Sequence, residues 1–431
     1  MPAAASSGIW GTAREVAGAL NTGGSAVVFS VSCASAGNCS AGGFYTTKSR
    51  NSEAFVVNEV RGIWRAAQQV AGRLNVGGGA QVNSVSCASA GNCTAGGLYA
   101  SRSATQAFVV SEVRGIWRTA QPVAGRLNVG GFAQVNSVSC ASAGNCSAGG
   151  SYASRSGTQA FVVSEVRGIW RAAQQVAGRL NVRGGAQVNS VSCASAGNCS
   201  AGGLYASRSG DQAFVVSEVR GTWRTAQPVA GRLNVGGAAV VNSVSCASAG
   251  NCSAGGFYTS KSGLDQAFVV NGRNGTWGAP HKIAISGSAQ LTSVSCASAG
   301  NCSAGGTNTT TSGQRVFVVN ERNGTWGAGR EVAGRLNAVG PAGLNSVSCG
   351  SAGNCSAGGS SGSGQAFVVN ERNGTWGAAE EVPGTAALNT GGDATVASVS
   401  CASAGKCSAG GDFTQKGGKQ GRMQAFVVGE T

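Results

Sequence analysis

Thirteen residues, Val138-Ser139-Cys140-Ala141-Ser142-Ala143-Gly144-Asn145-Cys146-Ser147-Ala148-Gly149-Gly150, recur with few changes eight times along the chain. The cysteine pairs they carry are Cys33/Cys39, Cys87/Cys93, Cys140/Cys146, Cys193/Cys199, Cys246/Cys252, Cys296/Cys302, Cys349/Cys355 and Cys401/Cys407, which together use all 16 cysteines. Successive first cysteines are 54, 53, 53, 53, 50, 53 and 52 residues apart. A period of that length means a repeat architecture, in which each unit buries its apolar surface against its neighbours.

One period, residues 134–186, reads as strands joined by turns; its best helix candidate, Trp170-Arg171-Ala172-Ala173-Gln174, is short and directly follows a hairpin turn, so strand is kept. Gln134 to Cys140 alternates apolar and polar residues, the pattern of a strand with one polar face. Ala141 to Asn145 is a turn of small residues in which Gly and Asn tolerate positive φ. Cys146 to Ala153 is a second strand and Ser154 to Thr158 a second turn. Gln159 to Ser164, with its Phe-Val-Val run, is a third strand buried on both faces. Arg167-Gly168 closes a hairpin into a fourth strand, Ile169 to Val176. Later repeats replace that dipeptide by Asn274-Gly275, Asn323-Gly324 and Asn373-Gly374, and Asn-Gly between strands is a strong hairpin signal. Ala177 to Gly185 is a loop to the next repeat. Four antiparallel strands per period, eight times over, predict an all-β fold, an eight-bladed β-propeller of four-stranded antiparallel blades.

The ends support a closed ring. The chain begins within a fourth strand, Gly8 to Val16, and ends after a third, Gln424 to Val428. Pairing these N- and C-terminal strands completes the last blade and leaves no open sheet edge. Residues 1–431 are thus expected to form a single propeller domain. Gly reaches 72 residues and only 11% are charged, yet each period has a fixed apolar run and one Trp, which low-complexity disorder lacks. No apolar run approaches the ~20 residues of a membrane-spanning helix. No signal peptide is visible in the numbered chain.

The C-x5-C pairs across a hairpin turn predict eight local disulfides, given a Cα separation of about 4.4–6.8 Å. Zinc is the rival reading, but its ligands are usually closer in sequence and include histidine, and His281 is the sole histidine. No metal and no cofactor is therefore expected. Eight disulfides imply an oxidising compartment, hence a secreted protein. The four aspartates, Asp211, Asp265, Asp393 and Asp412, share no position in the repeat, so neither calcium nor paired-carboxylate chemistry is indicated, and no enzyme is expected. Glu112, Glu165 and Glu218 recur beside an arginine-bearing turn, where a surface ion pair is the simple reading. The tryptophans, Trp117 and Trp170 among them, suit packing between blades or a platform for sugar stacking. The net charge is +15. Because strands alternate in direction, the second turn and the inter-repeat loop share one face of the ring. That face collects Arg73, Arg126, Arg179 and Arg232, with Tyr99, Tyr152, Tyr205 and Tyr258 expected close by. Such a ring could hold an anionic glycan or another polyanion. No nucleic-acid-binding motif is present.

The pattern Ser-Val-Ser-Cys…Gly-Asn-Cys, then Gln-Ala-Phe-Val-Val, then Asn-Gly-Thr-Trp resembles repeats of secreted actinobacterial proteins of largely uncharacterised function. The resemblance spans essentially the whole chain and implies a β-propeller and export, but no activity. The Asn-Gly-Thr-Trp hairpin is similar to the Asp-box of sialidase-type propellers but lacks its Asp and second Gly, which implies hairpin geometry without the chemistry. The functional expectation is a monomeric, secreted, non-catalytic, multivalent binding protein, lectin-like toward cell-surface or matrix glycans. The alternatives are a protein-interaction scaffold and, after it, a glycan-active enzyme.

Overall fold

The arrangement was obtained as a computed structural model that describes residues 8–332, 334–337, 340–417 and 421–430. The third repeat shows how each period folds. Ala133–Ser142, Asn145–Ser154 and Gly157–Val166 pair in sequence order, and the fourth strand follows in two pieces, Ile169–Trp170 and Gln174–Val176, both against the third. The fourth strand is interrupted because it slips. From Trp170 opposite Glu165 to Gln174 opposite Val162 it takes four steps where its partner takes three. This is a one-residue bulge, which turns the strand locally.

Eight such sheets close into a ring. The first strands of successive blades touch all the way round, Ala26–Ser35 meeting Ala394–Ser403, and so they line the axis. The last blade is composite, with Arg14–Val16 against Arg422–Gly429 in a register that sets Glu15 opposite Phe426. Trp10 bridges to Glu430. The expected pairing of the chain ends is thus present. The composite blade buries Trp10 and Ala13 toward Val368, and Val16 and Ala17 toward blade 1.

The core lies between blades. Phe161 and Val163 pack on blade 2, whereas Ala160 and Val162 pack on blade 4. Period-two alternation therefore serves two apolar seams, and the Phe-Val-Val run is buried on both faces as expected. The glycine pair makes this approach possible. A Cβ at Gly149 would lie 2.6 Å from Cγ1 of Val188 on blade 4, and one at Gly150 would lie 1.9 Å from the carbonyl oxygen of Gln134.

The Ser-Val-Ser-Cys segment couples the blades. Ser139 Oγ accepts from the backbone N–H of Cys193, and Ser137 Oγ from that of Val191, each at 2.9 Å. The same two bonds, at 2.9–3.0 Å, recur at all eight junctions. The polar face of the first strand is therefore a seam between blades rather than a solvent face. At about 1 kcal/mol per bond, the set contributes materially to ring stability.

All cysteines pair within their own repeat. Cα separations of 3.9–4.0 Å fall below the expected window because each pair is directly cross-strand, as Cys140 is to Cys146. The expected eight local disulfides are present, and they also take part in the seams. The second cysteine of each pair lies in the seam between blades rather than at the open end of its hairpin. Cys39, Cys199, Cys355 and Cys407 are 3–5% exposed. Their sulfurs meet serine hydroxyls of the preceding blade. Cys39 Sγ is 3.3 Å from Ser408 Oγ, Cys199 Sγ 3.5 Å from Ser147 Oγ, Cys355 Sγ 3.3 Å from Ser303 Oγ and Cys407 Sγ 3.3 Å from Ser356 Oγ. The second strand turns this position toward the neighbour because its sheet is covered on both faces. Among the described residues no helix is long and apolar enough to cross a membrane.

Candidate functional site: clefts between blades

The expected arginine and tyrosine face does not assemble. Arg73, Arg126, Arg179 and Arg232 are exposed on the inter-repeat loops. The Leu and Asn beside each arginine anchor the loop; Asn181 Nδ2, for example, donates to the Thr158 carbonyl and to Gln159 Oε1, each at 2.9 Å. Tyr99, Tyr152, Tyr205 and Tyr258, by contrast, are only 4–7% exposed. Their rings pack on third-strand phenylalanines, Tyr152 lying 6.4 Å from Phe161 between centroids. Those tyrosines are core residues. An aromatic next to a turn is buried here because each blade is covered on both faces. The disulfides of Cys39, Cys199, Cys355 and Cys407 each place one cysteine, 3–5% exposed, in a seam between blades.

The opposite face, which carries the Gly-Asn turn and the Arg-Gly or Asn-Gly hairpin, contains a cleft at successive junctions. Its residues come from fixed positions in the repeat. Glu165 follows Phe161 and Val163 in strand phase and so points at blade 2, where Ser111 Oγ donates to its Oε1 at 3.2 Å. Glu218 likewise accepts from Ser164 at 2.8 Å and from Ser147 at 3.2 Å, and Glu112 accepts from Asn58. These glutamates are buried and bonded across the junction, which corrects the surface ion-pair reading. Burial raises the carboxyl pKa of Glu112, Glu165 and Glu218 above the usual range, against a lowering by those hydrogen bonds. An ion pair does form at the equivalent place in the composite blade, between Arg372 and Glu430 at 3.6 Å.

Each tryptophan lies beside the glutamate of its own blade, except Trp277, which lies beside Gly272. Trp117 Nε1 donates to Asn58 at 3.1 Å and Trp223 Nε1 to Ser164 at 3.0 Å, so the indoles span junctions, the packing role expected. The clefts nevertheless differ by sector. After blades 5, 6 and 7, Arg273, Arg322 and Arg372 reach across to backbone carbonyls of the next blade's Gly324, Gly374 and Gly8. The tryptophans there, Trp326, Trp376 and Trp10, are 3–7% exposed. After blades 1 to 4 that position is Val60, Val113, Val166 or Val219, and Trp117, Trp170, Trp223 and Trp277 stay half-buried. In those blades the arginine sits one place later, as Arg61, Arg114, Arg167 and Arg220, at positive φ of 51–54°. Left-handed backbone at a non-glycine residue costs about 1–2 kcal/mol and is often kept for function.

The cleft between blades 2 and 3 has a volume of about 330 Å³ and is lined by Thr94, Ser111, Glu112, Arg118, Glu165, Arg167 and Trp170, among others. That is near the lower end of the ~300–1,000 Å³ usual for small-molecule sites. Sequence reasoning singled out Trp170 but missed Glu165, Arg167 and Thr94. The phase of Glu165 with Phe161 and Val163 was the available signal. Among the described residues, no group of three or more His, Cys, Asp or Glu could hold a metal ion.

No family model matches this chain. No curated protein matches it either. Similar solved structures include a Dyadobacter fermentans protein of unknown function, with 9% identity, TM-score 0.43 and coverage of 99% of this chain and 100% of that one. Sqt1 of Chaetomium thermophilum is 11% identical, with TM-score 0.45 over 81% of this chain and 94% of its own. A subtype N11 neuraminidase-like protein of A/flat-faced bat/Peru/033/2010 (H18N11) is 10% identical, with TM-score 0.35 over 79% of this chain and 84% of its own. At these identities and scores the likenesses say nothing of a shared ligand or activity.

Proposed function

We propose that this protein is a non-catalytic, multivalent carbohydrate-binding protein that works in an oxidising, extracellular setting. The observation that carries the reading is the cleft between blades 2 and 3, lined by the half-buried Trp170, the buried Glu165 and Arg167 on its turn, with a second cleft between blades 1 and 2 lined by the corresponding Glu112 and Arg114. An indole face supplies an apolar platform for a sugar ring, a carboxylate accepts from hydroxyls, and a guanidinium donates to them. Between blades 4 and 5 the glutamate position is Gly272, so that junction has the indole of Trp277 without the acid. Eight disulfides support export. Sites about 45° apart on one ring engage a glycan-coated surface together, and linked weak sites gain about 10²–10⁴ in avidity.

A glycan array probed at low and high salt tests this reading. Saturable, salt-tolerant binding to particular neutral or mixed glycans is expected, with several monovalent ligands bound per chain. A second reading, docking of an acidic protein or polyanion, is favoured by the arginine loops of the other face, where Val76, Val129, Val182 and Val235 are 59–66% exposed beside Arg73, Arg126, Arg179 and Arg232. Salt-sensitive binding to every polyanion, with no sugar selectivity, would select it.

A further inference from the structure

The loops that leave blades 1 to 4 hold a valine out in water on a fixed frame. In the first, Asn75 N donates to the Ala71 carbonyl and Val76 N to that of Leu74, each at 3.0 Å. Gly77 N donates to the Ala100 carbonyl of blade 2 at 2.8 Å, and the Gly78 carbonyl accepts from Ser52 N of blade 1 at 3.0 Å. The loop is thus tied to the turns of both blades it joins. The same bonds within the loop present Val129, Val182 and Val235, and an arginine stands three places before each valine. The loops that leave blades 7 and 8 serve as internal controls. There Thr390 N donates to the Leu388 carbonyl at 2.9 Å and Thr22 N to that of Leu20 at 2.8 Å, with Ala387 and Ala19 in the arginine position. The loop conformation therefore requires neither the valine nor the arginine.

Loops related by rotation about the ring axis reach the same height along it, so the four valines share one plane. The turns of the same blades add Lys48, Arg50, Arg102, Arg155 and Arg208, all exposed. Acids are few: Asp211 is exposed, and Glu53 Oε2 already accepts from Gln69 and Asn75, each at 2.9 Å. Among the described residues, none of these cations is in an ion pair. Resting on the second of the readings above, we propose that this arc docks on the surface of an anionic phospholipid bilayer. A flat, laterally fluid surface meets all four loops at once. Its phosphates accept from the guanidiniums, while the valines enter the boundary between headgroups and acyl chains. A soluble polyanion would leave the valines in water, and an uncharged apolar partner would leave the arginines without counter-ions. A second copy of this face would set arginine against arginine.

The test is sedimentation of the full chain with vesicles, at low and high salt. Binding is expected to vesicles of equal parts phosphatidylglycerol and phosphatidylcholine, and none to phosphatidylcholine alone. Two variants import the residues of the control loops. Val76→Thr, Val129→Thr, Val182→Thr and Val235→Thr together should weaken binding about ten-fold at both salts, and should leave heparin affinity unchanged. Arg73→Ala, Arg126→Ala, Arg179→Ala and Arg232→Ala together should weaken it about a hundred-fold at low salt and less at high salt. An unaltered melting temperature shows that each variant is folded; Val182→Thr alone, expected to lose about two-fold, replaces the four if they unfold together. Vesicle binding that ignores the valine changes would overturn the bilayer and leave a general polyanion site. Binding to heparin without binding to anionic vesicles would do the same. Binding to neither would remove both this proposal and the reading it rests on.

Discussion

Gly149 and Gly150 are adjacent, yet alanine at the two positions should differ sharply in effect. At Gly149 the added methyl meets only side chain, at 2.6 Å from Val188 Cγ1 and 2.8 Å from Val191 Cγ2. Both valines are buried and β-branched, so neither can rotate away freely. Overpacking of this kind costs about 1–3 kcal/mol. At Gly150 the methyl would sit 1.9 Å from the Gln134 carbonyl oxygen and 3.0 Å from Val135 Cα, and both obstacles are backbone. The bulge between Val135 and Ser137 brings that strand close, and relief requires the sheet to open. The cost should exceed about 4 kcal/mol, at the far end of single-substitution effects. Urea denaturation followed by tryptophan fluorescence measures both. Val188→Ala should restore part of the stability lost in Gly149→Ala, since it removes the obstructing methyl, and should do nothing for Gly150→Ala. Equal losses in the two glycine variants, or no rescue by Val188→Ala, would refute the assignment of Gly149 to blade-on-blade packing and of Gly150 to the strand crossing.

Arg167→Asn should stabilise the protein by about 0.5–1 kcal/mol in the same assay, because asparagine accepts the φ of 51° more readily, and it should weaken ligand binding if the arginine is retained for the cleft. Glu112, Glu165 and Glu218 have pKa values raised by burial, so the folded state binds their protons more tightly than the unfolded chain does. Their contribution favours folding below the ordinary carboxylate pKa and is lost as pH rises through the raised value, so a melting-temperature profile from pH 4 to 8 should flatten when all three are glutamine. Asp412, pushed up to about 6 by burial and by the nearby Asp393 carboxylate, has the same sign, and Asp412→Asn should diminish the fall between pH 4 and 6. Deleting residues 1–16 removes the strand that completes the composite blade, and hydrogen exchange should then rise in blades 1 and 7 as well as at the terminus.

Much of the fold was legible because its determinants are local and repeat. The cysteine spacing, the Asn-Gly and Arg-Gly turns and the two-residue alternation each specify a strand or hairpin, and the incomplete end repeats indicate their mutual pairing. What the sequence hid is how the blades face one another. In a sheet with one solvent face, Ser137, Ser139 and Glu165 would point to water. In a ring whose sheets are covered on both sides, the same alternation turns them toward a neighbouring blade. Tyr152 was misplaced for the same reason, and the burial of Cys199 against Ser147 was hidden by it. The bulge in the fourth strand was hidden because Arg171-Ala172-Ala173 carries no turn residue; what interrupts it is the register of Trp170 and Gln174 against one partner strand.

The serine bonds between blades all run in one direction, each blade accepting from the amides of the next. A cycle of identical directed links has no first member. Ser398 and Ser400 receive Val31 and Cys33 just as Ser137 and Ser139 receive Val191 and Cys193, although the former pair joins opposite ends of the polypeptide. The break in the covalent chain is therefore invisible to the lattice of contacts that holds the ring, and its place is a matter of bookkeeping. Joining the present ends and opening any inter-repeat loop would leave every blade with the same two neighbours, so circular permutants starting at different blades should form the same ring.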